Sequence, residues 1–108
     1  VTRSVVLWTD TARNDLESLV DYIAADDPAA AMQVLDTLER RARALESQAR
    51  RGRIVPELRA VGVLHYRELL ERPWRIVYRI EAGRVLVLAV LDTRRDLQSL
   101  LLERLIRS

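Results

Sequence analysis

Cysteine and lysine are both absent from this 108-residue chain, and histidine occurs once, as His65. The first absence excludes disulfides, thiolate metal sites and cysteine nucleophiles. The second excludes Schiff-base chemistry and lysine general bases. A lone imidazole excludes a metal site built from several histidines, so neither metal nor cofactor is expected. Two Trp and three Tyr are the only aromatic residues. That is few for a sheet that stacks RNA bases. No apolar run approaches the ~18 residues of a membrane span, and the N-terminus lacks a signal-peptide pattern. The expected location is the cytoplasm, with no membrane partner. The length allows one domain over residues 1–108. With 49 % apolar and 31 % charged residues, the balance is that of a soluble globular chain rather than a disordered one.

All 18 basic residues are therefore arginine, and they are unevenly placed. Residues 1–46 carry five Arg against nine acids, a net −4, whereas residues 47–84 carry nine Arg against four Glu, a net +5. An acidic front and a basic middle predict a polarised surface with one side suited to an anionic partner. The bland alternative is that these arginines simply solvate the surface.

Ser4 to Trp8 is an apolar run of strand length. Thr9 and Asp10 then offer oxygens to cap a helix whose stripe is Ala12, Leu16, Leu19, Val20 and Ile23. Asp26-Asp27-Pro28 is a junction, with Asp27 placed to cap a second helix and Pro28 at its first position. That helix carries Ala31, Val34, Leu35, Leu38, Ala42 and Leu45, and the short connection predicts an antiparallel helical hairpin. Arg50 to Arg59 reads as a basic loop. Val63 to Leu70 and Trp74 to Ile80 read as strands, the second with Trp74, Ile76, Tyr78 and Ile80 on one face and Arg75, Val77 and Arg79 on the other. Ala82-Gly83 predicts a tight hairpin into Val85–Leu91, an unbroken apolar run expected to be covered on both sides. A last helix follows, capped by Asp92 or Thr93 and carrying Leu97, Leu100, Leu101, Leu105 and Ile106. The fold class is α+β: an N-terminal strand, an antiparallel helical hairpin, a three-stranded antiparallel meander and a C-terminal helix.

Four strings in this order resemble the RelE/ParE superfamily of type II toxins: GRIVPEL at Gly52–Leu58, HYREL at His65–Leu69, WRIVYRI at Trp74–Ile80 and VLAVLDTRRDL at Val87–Leu97. The opening T-x-x-A-x-x-D-L at Thr9–Leu16 and Tyr22 in the first helix match as well. The resemblance implies one of two activities. RelE-like members cut mRNA in the ribosomal A site; ParE-like members keep the fold, do not cleave RNA and inhibit DNA gyrase.

Cleavage by a 2′-hydroxyl needs a base, an acid and cations on the phosphate. For the ribonuclease alternative the resemblance places Arg75 on the strand motif, Arg67 where lysine is frequent, Arg94 and Arg95 on a basic pair, and Glu57 in a stretch where one branch carries its base. Arg67 and Arg75 are expected to face the same side if their strands are neighbours. Proton-transfer groups are scarce. Arginine stays protonated, Leu69 falls where a lysine would act, and Leu97 to Ile106 holds no tyrosine or histidine. His65 is a candidate acid only if it lies near Arg75, and Glu68 is expected to be an ion-pair partner. Tyr66, Tyr78 and Trp74 are expected in the core. The deficit favours a ParE-like gyrase inhibitor that blocks replication. Its candidate target-binding residues are Arg50, Arg51, Arg53 and Arg59, together with exposed positions of the helical hairpin. The resemblance also implies a cognate antitoxin, ParD-like or similar. The broad apolar arc of Leu97, Leu101, Leu102 and Leu105 is its candidate docking site.

Overall fold

The computed structural model describes residues 3–94, 98 and 102–104. The chain opens with strand β1 (Val5–Trp8), followed by helices α1 (Asp10–Ala24) and α2 (Pro28–Arg43). Thr9 caps α1, its Oγ1 accepting from the Ala12 amide at 3.1 Å, and Asp27 caps α2 by accepting from Ala30 at 3.1 Å. Both caps and the Pro28 start lie where the sequence places them. A 3₁₀ turn at Ala44–Glu46 ends the second helix, and Gly52 lies beyond it. Strands β3 (Arg67–Glu71), β4 (Trp74–Glu81) and β5 (Arg84–Asp92) form the expected antiparallel meander.

Three features differ from the sequence reading. The stretch read as a basic loop contains strand β2 (Arg53–Ile54), paired with β3, and a short helix α3 (Pro56–Arg59). Both are too short to show a period. Conversely, Val63 to Tyr66 precede the strand instead of starting it: Val63 and Tyr66 pack from an irregular segment onto the sheet. Finally, β1 joins the sheet as an edge strand parallel to β5, which gives the order β1-β5-β4-β3-β2.

The sheet has two unequal apolar faces. Ala12, Leu16, Leu38, Ala42 and Leu45 of the helical layer pack against Ile76, Tyr78, Val85, Val87 and Val90. On the opposite face a smaller cluster joins Val55, Leu58 and Tyr66 to Val77, Ala89 and Leu91. The β5 run is thus covered on the helical side throughout and on the other side from Leu88 to Leu91, so the expected double cover holds over its second half. A bulge explains the lack of alternation. Tyr78 pairs with Val87 but Val77 with Ala89, so Leu88 is an extra residue. The extra residue reverses the side-chain parity of β5. Val85 and Val87 face the helices before it, Ala89 and Leu91 face away after it, and Val90 faces the helices again.

Of the expected C-terminal helix, Gln98 and Leu102–Arg104 are described and are helical. Arg104 holds Asp15 of α1 through two hydrogen bonds of 2.8 and 3.0 Å. No helix among the described residues is long and apolar enough to cross a membrane.

Candidate functional site

The face of the sheet turned away from the helical hairpin carries a cluster of four charged side chains. Glu68 on β3 pairs in register with Arg53 on β2 and with Val77 on β4, whose neighbour Arg75 points to the same side. Its carboxylate is almost fully buried, with 1 % of the residue exposed. It accepts from Arg53 Nε at 2.8 Å and from Arg75 Nη1 at 3.1 Å. The same Arg75 Nη1 donates to Glu57 on α3 at 2.9 Å. Two guanidinium groups thus meet two carboxylates. Burial opposes ionisation of Glu57, but the hydrogen bond from Arg75 and the charges of Arg75 and Arg53 outweigh it and hold its carboxyl below the ordinary value. Burial likewise opposes the charged form of Arg75, and Glu57 and Glu68 overcome it.

Register also decides where Arg67 goes. It lies opposite Tyr78, whereas Arg75 lies opposite Leu70, three residues further along β3. An odd separation on a strand means opposite faces. Arg67 and Arg75 therefore do not face the same side, and the expectation that they would is corrected by the pairing. Arg67 works on the hairpin side, where its Nη1 donates to the backbone carbonyls of Gly52 at 2.7 Å and Arg50 at 3.5 Å. Beside it the Tyr78 hydroxyl donates to the Ala49 carbonyl at 2.7 Å and accepts from the buried Gly52 amide at 2.9 Å. These bonds fasten residues 49–53, the segment that carries Arg50, Arg51 and Arg53.

The remaining candidates are scattered. Glu68 is an ion-pair partner as expected, of Arg53 and Arg75 instead of its chain neighbour Arg67. Tyr66 and Tyr78 are buried in the core, and Trp74 packs half-buried against the helical side. His65 is exposed, its ring 4.3 Å from that of Tyr66. Arg94 is exposed and folds onto Asp92, with contacts of 2.6–3.0 Å. Arg50, Arg51, Arg53 and Arg59 are all exposed. Arg53 is tied to Glu68, and Arg51 donates to the neutral Gln48 side chain at 2.9 Å. Arg95, Leu97, Leu101 and Leu105 lie outside the described residues; Leu102 is 36 % exposed. No group of three potential metal ligands occurs among the described residues. A separate groove of about 400 Å³ runs between α1 and the β3–β4 turn, lined by Leu19, Tyr22, Ile23 and Trp74 and flanked by the Asp15–Arg104 pair. It shares no residue with the arginine–glutamate cluster.

Comparison with known proteins fits this architecture. The family profile described as "ParE toxin of type II toxin-antitoxin system, parDE" matches residues 6–97. This chain belongs to the ParE toxin family. A solved structure titled "Chromosomal ParDE TA system from P. aeruginosa" shares its fold, with a TM-score of 0.67 and 22 % identity over 83 % of this chain and 96 % of that one. No curated protein matches the chain. ParE membership makes the protein a type II toxin, and the α+β order anticipated from the sequence is that of its structural relative.

Sequence reasoning named Glu57 and Arg75 but missed how they are held. The signal was the R-x-x-x-E spacing of Arg53 and Glu57 together with Glu68. Only the pairing of β2, β3 and β4 converts those positions into one cluster.

Proposed function

We propose that this ParE-family toxin inhibits DNA gyrase, blocks replication, and is restrained by a cognate antitoxin of the ParD-like kind. One observation carries the choice of target: Glu57, the candidate general base, is clamped by Arg75 and held ionised below its ordinary range. A base tuned downwards is a poor acceptor for a 2′-hydroxyl proton at neutral pH. Arg75 in turn has its Nη1 shared between two carboxylates and its side chain only 12 % exposed, which leaves little of the guanidinium open to a phosphate. With Arg67 on the opposite face, the cations that a ribonuclease would gather on one phosphate are divided. Binding to a protein target requires none of this chemistry.

Glu57 and Arg75 do stand 2.9 Å apart, which keeps mRNA cleavage on the ribosome as the second reading. Purified toxin is tested on gyrase supercoiling and on ribosome-bound mRNA in parallel. The expected result is loss of supercoiling with trapped, cleaved DNA, and intact transcripts. Cut transcripts with unimpaired gyrase overturn the proposal.

A further inference from the structure

The β1–β5 pair is parallel, and parallel strands ordinarily have both faces covered. Here one face is bare. Val6 and Trp8 of β1 point into the helical side, so Val5 and Leu7 point away from it, and they are 58 % and 40 % exposed. Leu7 lies opposite Leu86 on β5, and Leu86 lies opposite Arg79 on β4, which makes one row across three strands. The α3 segment covers Val77, Ala89 and Leu91 further along the same face and leaves this row open. Arg79 holds Glu81 through Nη2 at 3.2 Å, yet its Nε is buried with no hydrogen-bond partner among the described residues. A buried, unpaired N–H of a guanidinium costs free energy until an acceptor reaches it. Apolar surface from β1 and β5 thus lies beside a guanidinium of β4, in one row of the sheet.

We infer that this open half of the sheet face, Val5 and Leu7 with Leu86 and Arg79, is the docking surface for the neutralising segment of the antitoxin. The inference rests on the toxin–antitoxin reading above. The segment it fits is an amphipathic helix with an apolar stripe over Val5, Leu7 and Leu86 and a carboxylate beside the stripe, placed to accept from Arg79. Such a segment buries the bare face of the parallel pair and sets its carboxylate against the Arg79 guanidinium, whose side chain is 33 % exposed. Acidic residues on it are also steered towards residues 47–84, which carry a net +5 from nine Arg and four Glu.

The test uses the full chain purified with the protein encoded by the neighbouring gene, and measures their affinity for each other. Leu7→Asp and Arg79→Gln are each expected to weaken binding by about tenfold or more. Met32→Asp, on the exposed face of α2 and 61 % exposed, is expected to leave it unchanged. Thermal melts confirm that each variant is folded. Amide exchange supplies an arm independent of substitution: residues 5–8 and 84–88 of the unaltered toxin are expected to gain protection in the complex. Wild-type binding with equal affinity in Leu7→Asp and no added protection at β1 overturns this surface and leaves the toxin–antitoxin reading standing. No binding by the unaltered toxin overturns both. A toxin that pairs with itself through this face, seen as a dimer in the wild type and a monomer in Leu7→Asp, assigns the surface to a second copy and also overturns the inference.

Discussion

Tyr78 links the core to the segment that presents Arg50, Arg51 and Arg53, and Tyr78→Phe isolates that link. The ring stays in place, fully buried, while the hydroxyl and its two backbone bonds disappear. The buried Gly52 amide then has no acceptor at 2.9 Å, a loss of about 1–3 kcal/mol. The half-buried Ala49 carbonyl can recruit water, which limits its share to about 1 kcal/mol. The sum is about 2–4 kcal/mol. For a domain near this size each kcal/mol lowers Tm by about 4–8 °C, so a drop of at least ~8 °C is expected. Arg67 still holds the Gly52 carbonyl, so the loss appears first as local opening. Amide exchange of residues 49–54 should accelerate more than that of β4 and β5.

A pH arm follows from the same hydroxyl. Burial pushes the Tyr78 phenol above its ordinary value of 10.0, partly offset by the Gly52 hydrogen bond and the Arg67 charge. The unfolded chain loses this proton near pH 10 while the folded chain keeps it, so stability falls as pH rises above that value. Tyr78→Phe removes that contribution to the slope. A variant within about 2 °C of the wild type, with unchanged exchange at Gly52 and the same alkaline slope, would refute the reasoning.

Three further outcomes are expected. Gly52→Ala places a Cβ 2.6 Å from the Glu68 carbonyl oxygen and 2.6 Å from the Tyr78 hydroxyl, so it should cost about 1–3 kcal/mol in urea unfolding; a neutral result would mean that the segment shifts freely. Glu57→Gln should flatten the acid limb of stability. Its lowered carboxyl contributes above the unfolded value near 4.5 and loses that contribution as pH falls below it, so wild type and variant should draw together towards low pH, and parallel curves would count against it. Ala82 sits at φ 42° before Gly83 at φ 79°, a turn with two left-handed positions. Asn tolerates that conformation better than Ala, so Ala82→Asn should raise stability by about 0.5–1 kcal/mol, read as an increase in Tm.

Much of this fold is legible because local chemistry and packing agree. The stripes from Ala12 to Ile23 and from Ala31 to Leu45 bury on one side, and Asp27-Pro28 starts the second helix where capping requires it. The illegible parts depend on pairing. Four residues at Val5–Trp8 announce a strand but not its partner, so the parallel edge beside β5 could not be foreseen. The bulge at Leu88 hides in a run where every residue is apolar. Arg67 and Arg75 look alike in the sequence, and a register that sets Arg67 against Tyr78 sends them to opposite faces. Glu57 reads as a candidate base, Glu68 as an ion-pair partner and Arg53 as a target-binding arginine; only the pairing of β2, β3 and β4, with α3 beside them, joins the three to Arg75 through contacts of 2.8–3.1 Å.

That convergence changes what the basic middle of the chain means. Counting arginines predicts a cation-rich cleft around Arg75, but the two guanidinium groups there face two carboxylates, one of them buried. Removing one member of such a buried set is costly, because its partner is left desolvated and unpaired. The cluster therefore holds β2 and α3 onto the sheet more readily than it opens to receive a phosphate. The cations left without a carboxylate among the described residues include Arg50 and Arg51, on the segment that Tyr78 and Arg67 fasten, and Arg59 at the end of α3. The arginines of residues 47–84 thus include both a neutralised cluster at Arg53 and Arg75 and exposed guanidinium groups that face no carboxylate among the described residues.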